Sequence, residues 1–119
     1  MHSVGLVLVG LVAVLHVYFF VLEAFLWQQP TGLRVFNQTP ERAATTAVLA
    51  KNQAFYNAFL AAGLFYSLVE RTPEIAFKFQ AFNLGCVVVA GVVGAATASK
   101  RILFIQALPA LVALVLISL

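Results

Sequence analysis

Long apolar runs alternate with short polar joints along the chain. The runs are about Val4–Trp27, Val48–Val69, Ile75–Ala98 and Ile102–Leu119, each 18 residues or longer. About 18 to 25 apolar residues suffice for a helix to cross the hydrocarbon core of a bilayer. A helix also meets every backbone hydrogen bond internally, which lipid demands. The pattern therefore predicts an all-α fold: an integral membrane four-helix bundle, antiparallel and up-and-down. It forms a single domain over 1–119, with helices near 4–27, 40–70, 74–98 and 101–118.

The joints carry recognisable start and stop signals. Gln28-Gln29-Pro30-Thr31-Gly32 ends the first run, because proline cannot continue a helix and glycine favours turns. Trp27 then falls where an interfacial aromatic anchor is expected. A polar connection over Leu33–Thr39 follows. Thr39-Pro40-Glu41 reads as a helix start, with threonine as N-cap, proline at the first helical position and an acid near the positive end of the dipole. The same three residues recur as Thr72-Pro73-Glu74. A helix over 40–70 is about 46 Å long, beyond the roughly 30 Å core, so its first turns stand in the headgroup layer unless it breaks near Thr45–Thr46. In the third run Ala90, Gly91, Gly94 and Ala95 form a small-residue face for close helix packing. That face is a candidate dimer seam, and a homo-oligomer is expected. Ser99-Lys100-Arg101 is a tight basic turn, and the last run contains Pro109.

Composition narrows the class: 63% of residues are hydrophobic and 9% charged, against roughly 45–50% and 25% in ordinary globular domains. The net charge of +3 does not point to nucleic acid, since the basic residues are spread over loops without interleaved aromatics. They set topology instead. Arg34, Arg42, Lys51, Lys100 and Arg101 lie in the first and third loops, against Arg71 and Lys78 in the second. That bias places the first and third loops in the cytoplasm and both termini outside. The first run lacks a basic leader and a cleavage site, so it is expected to be a retained helix rather than a signal peptide. The single cysteine, Cys86, is expected to behave as a small hydrophobe. No metal-ligand spacing is present, and the two histidines, His2 and His16, sit too far apart on one helix to share an iron. A haem would therefore need a dimer or a different axial ligand, and the sequence does not specify a cofactor.

Candidate chemistry concentrates on two helices. Gly5, Val9, Val12, His16, Glu23 and Trp27 share a helical stripe about 60° wide. His16 and Glu23 lie about 10 Å apart along the axis and cannot bond each other. An ionisable group in a span is expensive and by default marks a functional site. On the second helix Asn52, Gln53, Tyr56 and Asn57 cover about 140° of surface. Depth counting places His16 level with Tyr56 and Asn57, and Glu23 level with Lys51, Asn52 and Gln53. An ion pair between Glu23 and Lys51 is the structural alternative. Asn83, Thr97 and Gln106 read as interhelical hydrogen bonds, worth about 0.6 kcal/mol each.

The residues His16 and Glu23 with Phe25-Leu26-Trp27, then Asn52-Gln53 with Tyr56-Asn57, Phe59-Leu60-Ala61 and Gly63-Leu64, and finally Gly91, Gly94-Ala95 and Thr97 carry a resemblance. The chain resembles, over nearly its whole length, the bacterial membrane-protein family catalogued as domain of unknown function 1304. That pattern often has glycine where Ala54 and Ala58 stand here. The resemblance implies a four-helix, multi-pass protein of the bacterial inner membrane and supplies no activity. The leading expectation is small-molecule binding or transport, of an apolar or amphipathic ligand, in a pocket of His16, Glu23, Asn52, Gln53, Tyr56 and Asn57 open to the cytoplasmic side. One alternative is a membrane enzyme acting on a lipid-soluble substrate, with His16 as acid–base group. Another is an accessory subunit of a membrane complex.

Overall fold

Every stretch of regular structure in the computed structural model, which describes residues 1–119, is helical. The helices are α1 (His2–Ala24), α2 (Pro30–Val35), α3 (Pro40–Val69), α4 (Pro73–Thr97) and α5 (Leu108–Ser118), with a π-helical turn at Leu103–Ala107 before α5. By length and composition α1 and α4 are long and apolar enough to cross a membrane. Asn52, Gln53 and Asn57 dilute the apolar run of α3, and the stretch Leu103–Ser118 is a shorter apolar helix. The chain divides into two compact units, Met1–Val14 with Leu60–Leu119, and Leu15–Phe59.

In the unit Leu15–Phe59, α1 ends at the joint expected from Pro30, but the connection after it is not irregular. Pro30 serves as the first residue of α2 rather than only as a stop, a position proline favours because its missing N–H is not needed there. Gly32 is buried, and a Cβ built on it lies 2.0 Å from the Leu26 carbonyl oxygen. Only glycine permits that approach. Asn37, at φ 52, ends α2 in the left-handed region that asparagine tolerates, and Gln38 N–H closes back on the Leu33 carbonyl at 2.9 Å. Thr39 then caps α3 as its sequence suggests: its hydroxyl oxygen accepts the Arg42 N–H at 3.2 Å. The helix runs unbroken through Thr45 and Thr46, whose hydroxyls donate to the Glu41 and Arg42 carbonyls. That back-bonding satisfies the hydroxyls within the helix.

The other unit packs around Val9, Val12, Ala13, Leu64, Leu84, Val87, Ala110, Ala113 and Ile117. Thr72 occupies the N-cap of α4, but its side chain makes no capping bond. Glu70, just before it, accepts the Thr72 N–H at 3.1 Å. Identical triplets thus start two helices by different means. The π turn precedes Pro109, which has no N–H to offer the Ile105 carbonyl. It also brings Ala107 against α4: a Cβ at Gly91 lies 2.6 Å from the Ala107 Cβ and 2.8 Å from its backbone nitrogen. At Gly94 a Cβ meets only the Ile102 side chain, at 3.0 Å. The small-residue face of α4 is therefore used within the chain; Ala90 is exposed and Ala95 half-buried. Gly91→Ala is expected to destabilise by about 1–2 kcal/mol, since backbone must move to admit the methyl group. Gly94→Ala, where a flexible side chain can yield, is expected to change stability by less than about 0.5 kcal/mol. Unfolding midpoints in detergent check the difference, and equal midpoints for the two variants would contradict it.

Candidate functional site

The stripe on α1 turns inward. Gly5, Val9, Val12 and His16 are buried, and Glu23 and Trp27 are half-buried. On α3 the buried positions Ala50, Ala54, Asn57, Ala61 and Leu64 repeat every three or four residues, the spacing of one helix face. Asn57 is the polar member of that face. The alanines beside it, Ala50 and Ala54, keep the face narrow so that a neighbouring backbone can approach.

Glu23 and Asn57 meet there. The Asn57 side-chain amide donates to the Glu23 carboxyl group at 2.5 Å. The depth count had placed Asn57 beside His16 and Glu23 beside Asn52. The structure instead pairs Asn57 with Glu23, a shift of about one turn along α3. Glu23 also lines a cavity of about 280 Å³. Trp27, Gln28, Gln29, Val48 and Lys51 line it too, so a carboxylate, an ammonium and two amides open onto one space. Lys51 shares the cavity with Glu23, but the carboxylate's hydrogen-bond donor is Asn57.

Trp27 fixes the rim. Its indole N–H is shared between the Ala43 carbonyl, at 3.1 Å, and the Thr46 hydroxyl, at 3.2 Å. Its ring packs on Phe36 with centroids 4.9 Å apart. Phe20 meets Phe25 and Phe55 edge-on, at 5.7 and 5.5 Å, which holds the end of α1 against α3.

The remaining candidates separate. His16 is fully buried, with Phe19 edge-on at 5.6 Å, and does not line this cavity. Asn52, Gln53 and Tyr56 are exposed, and the Tyr56 ring contacts Phe59. No group of three or more His, Cys, Asp or Glu side chains is placed to hold a metal ion. Sequence reasoning missed Gln28 and Gln29, which it treated only as a helix stop. Two adjacent amides one turn beyond an acid were the available signal.

Over residues 10–118 the chain matches the family described as "Protein of unknown function (DUF1304)". The "Uncharacterized protein YpaA" of Lactococcus lactis subsp. lactis (strain IL1403) is 30% identical over 117 residues, covering 97% of each chain. No solved structure matches.

Proposed function

We propose a binding function for this chain, which belongs to the DUF1304 family: it is a four-helix, antiparallel integral membrane protein that holds a small amphipathic molecule in the Glu23 cavity. The observation that carries the reading is that Glu23, bonded to Asn57, opens with Lys51, Gln28 and Gln29 onto one cavity of about 280 Å³. An acid kept within an apolar helix is costly, and interhelical packing alone has no use for its charge. The cavity, at about 280 Å³, falls just below the range for drug-sized ligands, which runs from about 300 to 1,000 Å³, and so suits a smaller molecule. Its polar groups stand beside apolar Ala24, Phe25 and Val48, a lining suited to a ligand with a polar head and a short apolar body. The charge bias of the loops supports an opening on the cytoplasmic side, with both termini outside.

Native mass spectrometry of the chain purified from bacterial inner membranes tests the proposal. The wild type is expected to carry a small-molecule adduct that Glu23→Gln and Lys51→Met lose, while both variants keep the helical circular-dichroism spectrum. Glutamine can still accept from Asn57, so the fold is retained while the charge is removed. The same adduct at the same occupancy in all three proteins would refute binding at this cavity.

A further inference from the structure

A second cavity, of about 190 Å³, lies within the unit built from Met1–Val14 and Leu60–Leu119. Ser67, Glu70 and Gln80 line it together with His2, Leu6 and Phe77. Ser67 and Gln80 are buried, at 2% and 3% exposure, although each is a polar residue in an otherwise apolar run.

The hydrogen bonds around this cavity commit more donors than acceptors. The Ser67 hydroxyl donates to the Leu64 carbonyl at 2.6 Å. One Gln80 amide hydrogen goes to the Ser67 carbonyl in a long contact of 3.5 Å, the amide's one hydrogen bond, which leaves its oxygen uncommitted. The Tyr66 hydroxyl donates to Glu70. That bond, with the N–H of Thr72, holds the Glu70 carboxyl below the ordinary carboxylate range, so it carries its charge at neutral pH. Its oxygens accept from the Tyr66 hydroxyl and the Thr72 N–H, with weaker contributions from the Arg71 N–H and the Thr72 side chain. What remains on offer is the Glu70 carboxylate, the Gln80 amide oxygen and the Ser67 hydroxyl oxygen, against one further Gln80 amide hydrogen. Leu6 and Phe77 supply apolar walls, and an aromatic face also favours a cation.

We infer that this cavity is a binding site for a primary alkylammonium group, with Glu70 and Gln80 accepting its N–H donors and Leu6 and Phe77 covering its first methylenes. A carboxylate or phosphate ligand meets mostly acceptors here and is disfavoured. A quaternary ammonium has no N–H to give. The site is independent of the Glu23 cavity, and its ligand is either a soluble amine or the ethanolamine head of a phospholipid.

Calorimetric titration of the full chain in detergent tests the inference, with n-butylammonium as probe and n-butanol and tetramethylammonium as controls. Butylammonium is expected to bind while both controls do not. Gln80→Leu is expected to weaken binding about tenfold or more, the loss typical of a hydrogen bond to a charged group. Glu70→Gln, at a more exposed position, is expected to weaken it as well and serves alone should Gln80→Leu not fold. Melting temperatures in phosphatidylethanolamine and phosphatidylcholine nanodiscs then identify the source. A higher value in the former that vanishes in the binding-deficient variant assigns the lipid head, and equal values alongside butylammonium binding assign a soluble amine. The inference fails if butanol binds as tightly as butylammonium, if the folded variants bind like the wild type, or if neither the amine nor the lipid has any effect.

Discussion

Asn57→Leu is expected to destabilise the protein by about 2–3 kcal/mol, because it leaves the half-buried Glu23 carboxylate without its donor. The side chains are similar in size, so the loss is chemical rather than a cavity effect. Removing one partner of a buried hydrogen bond costs the desolvation of the other, whereas removing both can be nearly neutral. The double variant Glu23→Leu/Asn57→Leu is therefore expected to recover most of the loss, giving a coupling energy well outside the few tenths found for independent sites. Unfolding midpoints of the four proteins in one detergent measure this. Additive effects would mean that the pair contributes nothing beyond its separate surroundings.

Gly32→Ala is expected to cost about 2–3 kcal/mol and to undock α2. The added methyl group meets the Leu26 carbonyl oxygen at 2.0 Å and the Trp27 carbonyl oxygen at 2.9 Å. Both are backbone, so no rotamer change can relieve the clash. Trp27 is the only tryptophan in the chain, and Phe36, just past α2, packs on its ring. Its fluorescence therefore reports on this corner of the chain. A red-shifted emission together with a lower unfolding midpoint is expected, and an unchanged spectrum would show that α2 accommodates the methyl group without moving.

Much of the helical layout was legible in the residues themselves. The apolar runs mark α1 and α4, Thr39 announces the start of α3, and the α1 stripe from Gly5 to Trp27 is the face that turns inward. Periodicity is a sum over many residues, so single exceptions do not erase it. Features that depend on one tertiary contact were not legible. The six residues of α2 are too few for a periodic signal, and their helix rests on a backbone approach at Gly32. The choice of Asn57 as Glu23's donor needed the true register of α1 against α3. That Thr72, unlike Thr39, makes no side-chain capping bond was likewise not visible in two identical triplets. Gln80 and Ser67 were visible as polar residues within apolar runs, yet only the structure brings them to one cavity with Glu70.

The Trp27 bridge also bears on the order in which the chain folds. Its two hydrogen bonds close loops of 16 and 19 residues, and short loops carry little closure entropy. Contacts of low sequence separation form early in folding, and domains are made from the N-terminus during synthesis. The tryptophan clasp is complete as soon as Thr46 has been made, before any residue of α4 or α5 exists. The connection between α1 and α3 can therefore be tied while the later helices are still to be made.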